Sequence, residues 1–361
     1  MPNHANYDAL VTEGLDRAYD RAKAGAGLEI DLGTARVIVF SDLHRGNRRR
    51  SDDFLACEPT FREALGHYLA EGYLLVVLGD AEDLWKYRPR EVKRAYEASI
   101  ALEGSFSEAG RYLRLVGNHD DLWKDGRAYR RYLGDLLGQV DPLDGICLHL
   151  SLGAEELGTI FLTHGHQGTL DSDRFSWLSR LLLRFIYRPF QQLTGFRTTS
   201  PSTSIELRDQ HSLAMYRWSE DRCGQKLVFV AGHTHLPVFL SLNHVEQLQV
   251  RRHALLHDLV ARGLHATVEE ASRDEGVRQV EAEIEAVQGK MGGVPPSAAG
   301  ALAKKPCYFN TGCCSFSDGD ITGIEITGRE ISLVRWKLVD GRGSRAVRAR
   351  SDLVDDVFAK L

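Results

Sequence analysis

Leu74-Leu75-Val76-Val77-Leu78-Gly79-Asp80-Ala81-Glu82-Asp83 is the stretch on which the fold turns: five aliphatic residues that stop at a glycine and then at carboxylates. An aliphatic run this short, rich in Val and Leu and bounded by Gly, reads as a strand buried on both faces. The same punctuation recurs. Val37 to Phe40 leads to Asp42 and His44, and Tyr112 to Val116 leads to Gly117, Asn118 and His119. Ile160 to Leu162 leads to His164, Leu227 to Val230 to Gly232, His233 and His235, and Cys307 to Phe309 to Asn310. Helical patterns such as Thr60 to Leu69 and Arg90 to Leu102 lie between several of these runs. Alternating strand and helix predict an α/β layered fold with substantial parallel pairing. Ligands gather beyond the carboxyl ends of such strands. Six strands that end in polar residues of one chemical type therefore predict a single rim carrying them all.

Working outward, residues 1–33 read as a helical N-terminal extension, 34–338 as the core, and 339–361 as a charged C-terminal tail. Two insertions interrupt the core: a helical lid at 165–225, and a helical arm with its linker at 243–305. In the lid, Arg180, Arg184 and Arg188 fall four apart, beside an apolar face of Leu178, Leu181, Leu182, Phe185 and Ile186. In the arm, Val277, Val280, Ile284 and Val287 keep helical spacing, and a loose linker begins at Gly292. Ile321 to Ile326 and Ile331 to Trp336 read as a hairpin. The tail, with Arg342, Arg345, Arg348 and Arg350, reads as a flexible exposed end.

The 361 residues are 43% hydrophobic and 26% charged, an ordinary globular composition that excludes disordered, collagenous and disulfide-scaffold classes. A formal net charge of −5 removes bulk attraction to nucleic acid or anionic membrane as a default. Six scattered cysteines fit free thiols in a reducing compartment. With no signal-peptide core and no long uncharged apolar run, the expectation is a soluble cytoplasmic protein.

The strand ends supply Asp42, His44, Asp80, Asn118, His164, His233 and His235: two carboxylates, one amide and four imidazoles. Such donors, without thiolate, suit a pair of divalent ions, Mn²⁺ foremost and Fe or Zn²⁺ as alternatives, better than a structural cysteine-zinc site. Two ions roughly 3.5–4 Å apart could share one hydroxide and hold a phosphoryl oxygen.

Asp42-Leu43-His44, Gly79-Asp80-Ala81-Glu82-Asp83, Gly117-Asn118-His119-Asp120, Thr163-His164-Gly165 and Gly232-His233-Thr234-His235 stand in the order seen in calcineurin-like metallophosphoesterases, and the chain resembles that family from about Arg36 to Gly312. The resemblance implies an α/β sandwich of the metallophosphoesterase type with mixed sheets. It implies that Asp42, His44, Asp80 and His235 bind one metal, and that Asp80 as bridge, Asn118, His164 and His233 bind the other. By the same resemblance His119 protonates the leaving oxygen and Asp83 orients it. The mechanism implied is attack of a metal-bridging hydroxide on phosphorus in a phosphate monoester, diester or pyrophosphate.

Within the family, the segments around Asp42 and Asp80 are similar to UDP-diacylglucosamine hydrolases, which cleave a pyrophosphate in a nucleotide-linked lipid. That likeness implies a lipid-linked substrate, Arg180 and Arg184 on the lid as contacts, and peripheral membrane association. The subfamily carries Arg where this chain has His119, a difference that favours a general-acid phosphoesterase. Arg45 and Arg48, just after the first motif, could clamp a substrate phosphate bidentately or lie in a solvated loop. Asn310 could shape the rim. A nuclease or cyclic-nucleotide phosphodiesterase would use the same metals but should present a basic track with stacking aromatics. A scaffold without catalysis should have lost metal ligands, and here all are present.

Overall fold

Two sheets face each other in the computed structural model, which describes residues 4–168, 205–264, 267–291 and 298–361. Their strands are β1 (Leu28–Asp31), β2 (Arg36–Phe40), β3 (Leu74–Leu78), β4 (Tyr112–Leu115), β5 (Gly145–Leu152), β6 (Glu155–Thr163), β7 (Leu227–Ala231), β8 (Tyr308–Asn310), β9 (Ile321–Thr327), β10 (Glu330–Val339) and β11 (Arg342–Asp352). One sheet runs β1-β5-β6-β7-β8, the other β11-β10-β9-β2-β3-β4. β2, β3 and β4 pair in parallel, as do β6, β7 and β8, while β5–β6, β2–β9, β9–β10 and β10–β11 are antiparallel. Both sheets are thus mixed.

The continuous aliphatic runs have a direct cause. In β2, Val37 and Val39 point between the sheets, where they meet Val76, Leu78, Ile160, Leu162, Val228 and Val230. Ile38 and Phe40 point the other way, onto a layer that includes Phe61, Leu65 and Ile100 of helices Glu58–Ala70 and Pro89–Glu108. The far face of the β1-β5-β6-β7-β8 sheet, with Phe161 and Phe229, packs on Val11 and Leu15 of helix His4–Ala24 and on Met215 and Trp218 of helix Ile205–Glu220. Side chains alternate across a strand, so a strand sandwiched on both faces needs apolar residues at every position. The result is four layers: helix, sheet, sheet, helix.

Three boundaries differ from expectation. The stretch 339–361 is ordered sheet rather than a flexible tail. β11 pairs with β10 from Val339↔Arg342 to Glu330↔Asp352. The two loop residues Asp340 and Gly341 both have positive φ (51° and 76°), the conformation an Asp-Gly hairpin turn requires. Arg345 pairs with Glu325, and Leu353, Val357 and Phe358 bury themselves against the core, which fixes the end of the chain. The N-terminal extension adds β1 to its helix and so edges the first sheet. The later part of the expected lid, helix Ile205–Glu220, belongs to the outer helical layer; the remainder of the lid, with Arg180, Arg184 and Arg188, lies outside the described residues.

Helices His244–Ala261, Val268–Ala271, Glu275–Met291 and Ala298–Leu302 make up the arm at 243–305. Val280 and Ile284 pack on Leu248, and Val277 on Leu256 and Ala271. No helix among the described residues is long and apolar enough to cross a membrane.

Candidate metal centre

β2, β3, β4, β6 and β7 all end at one rim, and the chain leaves them in an uncommon way. Asp42 (φ 53°), His44 (53°), Asp80 (51°), His233 (68°) and His235 (57°) all adopt left-handed backbone conformations. Each costs of order 1–3 kcal/mol for a residue with a Cβ, and such residues persist only where their surroundings over-determine them. The surroundings here are mutual hydrogen bonds between loops. The Asp42 N–H donates to the Gly79 carbonyl (3.2 Å), His44 N–H to Asp80 O (2.9 Å) and Gly232 N–H to His164 O (3.0 Å). Asp80 Oδ1 accepts from the His119 N–H at 2.8 Å, and Asp42 Oδ2 from the His233 N–H at 2.9 Å. The loops also lie too close for side chains at their glycines. A Cβ on Gly117 would stand 2.1 Å from Asp80 Oδ1, and one on Gly232 2.6 Å from Asp42 Oδ2.

These bonds occupy one oxygen of each aspartate and turn the other inward. Asp42 Oδ1 lies 3.1 Å from His235 Nε2, 3.8 Å from His44 Nε2 and 4.0 Å from His164 Nε2. Asp80 Oδ2 lies 3.2 Å from His164 Nε2 and 3.8 Å from His44 Nε2. Among the described residues, three sets of candidate ligand atoms result, the atoms of each within 4.8 Å of one another: Asp42, His44 and His235; His44, Asp80 and His119; Asp80, His164 and His233. Asp80 joins two of them. Asp42 Oδ1, Asn118 Oδ1 and His164 Nε2 are buried and accept or donate no hydrogen bond. Buried polar atoms are rarely left so, and carboxylate, amide and imidazole lone pairs converging on one space fit divalent cations. The His164 ring is set for this: its Nδ1–H donates to the Leu78 carbonyl at 2.8 Å, which directs the Nε2 lone pair into the basin.

The electrostatics agree. Burial alone would raise the aspartates, yet the imidazoles of His235 and His164 around Asp42, and of His164 and His119 around Asp80, hold both carboxylates well below their usual range. Burial above all pushes His233 and His235 down, toward neutral rings with lone pairs to give. His164 is pushed up to about 10 by Asp80 and Asp42 against its burial, an affinity for positive charge that a metal ion would satisfy in place of a proton.

His119 borders this basin, its ring centroid 4.7 Å from that of His44. Its Nδ1 is 3.1 Å from Asp83 Oδ1, and its ring stacks on Trp85, centroids 4.2 Å apart at 20°. Asp83 Oδ2 is in turn 3.0 Å from Lys86 Nζ. Burial opposes ionisation of Asp83, but Lys86 first and His119 next hold its carboxyl far below the usual range. The chain Lys86–Asp83–His119–Trp85 fixes the imidazole on two sides.

Other expected substrate contacts are not at the rim. Arg45 is fully buried behind it, its guanidinium 2.9 Å from Glu82 Oε1 and against Glu103. Its side chain leaves the loop on the face opposite to His44, so it meets the core and not the basin. Arg48 is held by Glu58 and the Ala95 carbonyl and lies over the Tyr96 ring at 4.7 Å. Asn310 is buried: its Nδ2 donates to the Gly232 carbonyl (2.6 Å) and Thr234 Oγ1 (3.2 Å), so it positions the loop of His233 and His235 from behind.

Sequence reasoning missed Lys86, His211 and Arg208. His211 is buried, its ring centroid 5.2 Å from that of His233. Its Nε2–H donates to the Gly165 carbonyl (2.6 Å) and its Nδ1 accepts from Tyr7 OH (2.8 Å), a neutral state that burial favours by pushing its pKa down to about 4. Arg208, partly buried on the same helix, lies near enough to act on the charges of Asp42 and His235. The helical spacing of Arg208 and His211 places them on one face, but no strand precedes them to mark that face as the rim.

The family profile described as Calcineurin-like phosphoesterase matches residues 35–237, more than half of the chain. No curated protein matches the sequence. Among solved structures, Vacuolar Protein Sorting 29 from Cryptosporidium parvum aligns at 11% identity over 88% of this chain and 98% of its own, with a TM-score of 0.34, a likeness too distant to bear on function.

Proposed function

The chain belongs to the calcineurin-like phosphoesterase family, and we propose that it hydrolyses a phosphate ester or anhydride with two divalent metal ions, Mn²⁺ foremost. Asp42, His44, Asp80 and His235 would hold one ion, and Asp80, Asn118, His164 and His233 the other. Asp80 Oδ2 lying 3.8 Å from His44 Nε2 and 3.2 Å from His164 Nε2, one imidazole from each set, is the observation that carries this reading. When bound, the ions supply Lewis acidity: they acidify water and neutralise charge on phosphoryl oxygens.

The protein's own residues do the rest. The hydrogen bonds from His119 N–H and His233 N–H lock Asp80 and Asp42 so that each offers one oxygen inward. With Nδ1 tied to Asp83, His119 presents Nε2 as the proton donor to the departing oxygen, and Trp85 keeps the ring from turning away. Arg208 adds positive charge beside Asp42, where an anionic ester would enter.

The test is a panel of aryl monoesters and diesters, alkyl monoesters, cyclic nucleotides, pyrophosphate and single-stranded DNA, with metal content measured on the same samples. Chelation should abolish turnover and Mn²⁺ restore it. His119→Ala should retain both ions yet slow alkyl esters by about 10²–10⁴-fold while sparing nitrophenyl esters, whose leaving group needs no proton. Equal losses on both would remove the general-acid role. DNA cleavage well above ester turnover would favour a nuclease. The lipid-linked pyrophosphate reading takes its substrate contacts from Arg180 and Arg184, which lie outside the described residues.

A further inference from the structure

A cavity of about 470 Å³ has in its wall Leu236 and Pro237, the residues that directly follow His235 in the chain, and Asp209, which directly follows Arg208. Its origin lies in the unequal sheets. β8 has three residues, whereas β9, β10 and β11 run on past it. Their inward face at this end, Thr322 opposite Arg335 in register, is covered by the first turns of helix His244–Ala261 and not by the other sheet. Leu333, Phe316, Val245, Leu248, Leu236 and Pro237 give the cavity an apolar body.

The charged groups around it are sorted. Arg335 is taken by Asp318 and Asp320, and His244 sits 3.5 Å from Glu283. Arg251, Arg348 and the half-buried Asp209 also line the cavity, and neither arginine has an ion-pair or hydrogen-bond partner among the described residues, so the free charge of the lining is net positive. Two unmatched guanidiniums over an apolar chamber suit a ligand with an apolar body and its own negative charge.

Resting on the phosphoesterase reading above, we infer that this cavity binds the leaving group of the substrate, an apolar chain or ring that carries a second anionic group, and places its phosphoryl end at the metal centre. The cleaved ester and the anionic far end are then held by separate parts of the protein: the strand-end loops for the first, the arm at 243–305 for the second. This gives the arm a role in specificity rather than chemistry.

The test uses the full chain with Mn²⁺ and three probes: methyl phosphate, octyl phosphate and 8-(phosphonooxy)octanoate. Calorimetric affinity and turnover are read together. The octyl chain should tighten binding at least tenfold over methyl phosphate, and the terminal carboxylate should tighten it a further several-fold. In the Arg251→Ala/Arg348→Ala double variant the carboxylate advantage should vanish while 4-nitrophenyl phosphate turnover stays within twofold of the parent. Leu248→Trp, which fills the chamber, should remove the chain advantage as well. If all three probes bind alike while 4-nitrophenyl phosphate is hydrolysed, the cavity inference is overturned and the phosphoesterase reading stands. Selective binding that both variants abolish, with no hydrolysis of any ester, would leave the cavity in place and sink the phosphoesterase reading.

Discussion

Two clusters of buried charge lie back to back beneath the strand ends, and both draw on the loops that follow β2, β3 and β4. The first is the basin of Asp42, Asp80 and the histidines. The second, directly behind it, joins Arg45, Glu82, Glu103, Arg114 and Asp120, each at most 1% exposed. In the second cluster each guanidinium lies against carboxylates: Arg45 on Glu82 and Glu103, Arg114 on Glu82 and at 3.4 Å from Asp120. Trp123 Nε1–H adds a bond to Glu82 (2.8 Å), and Tyr112 OH one to Glu103 (2.7 Å). Asp120 ties this cluster to the basin by accepting from Gly117 N–H (2.7 Å) and Ala81 N–H (3.0 Å). The protein supplies permanent cations, two arginines, to the carboxylates of one cluster, and faces the carboxylates of the other with histidines. What separates the two buried clusters is therefore the partner, since carboxylates are common to both.

The sharpest way to break this contrast is Asp80→Ala. Both ions would lose a shared ligand, so metal content and turnover should fall together, turnover by about a thousandfold or more, equivalent to about 4 kcal/mol of transition-state stabilisation. Full metal occupancy in that variant would end the bridging assignment. Glu82→Ala probes the other cluster. Arg45 and Arg114 would lose the carboxylate they share and keep only Glu103 and Asp120, and unfolding by urea should show a loss of about 3–5 kcal/mol, with the folded fraction still binding metal. A variant as stable as the parent would mean that the ionic cluster holds nothing together.

Metal removal gives an intermediate effect. Protein at a hundred times the metal dissociation constant should exceed the chelated form by about 2.7 kcal/mol of stability, read as an upward shift in thermal midpoint. An unchanged midpoint would show that the basin has no preference for cations. Arg48→Ala should do least. Its side chain is 42% exposed and its pair with Glu58 is screened by solvent, so stability should fall by less than about 1 kcal/mol with KM for aryl esters unchanged. A raised KM would return Arg48 to the substrate.

Much of this arrangement was legible in the chain. An aliphatic run that ends at Gly79 and Asp80 announces both a buried strand and a residue on the rim, because buried strands must be apolar throughout and loops carry what remains. Repetition of that signature brought Asp42, His44, Asn118, His164, His233 and His235 to one place. The Asp340-Gly341 turn was equally readable, yet the dense arginines of 342–350 masked β11 as a tail. Arg208 and His211 carried no comparable signal, because the helix bearing them reaches the rim only through packing on Phe161 and Phe229.

The sequence by itself determined the layered fold and the order in which carboxylate, amide and imidazole donors arrive at the rim. Only the tertiary structure decided that His44 faces the basin while its neighbour Arg45 faces Glu103, and that Asp80 and Asp83 turn forward while Glu82 turns back. Residue type records the affinity of a side chain for charge, but which charge it meets depends on left-handed turns pinned by hydrogen bonds from loops distant in the chain.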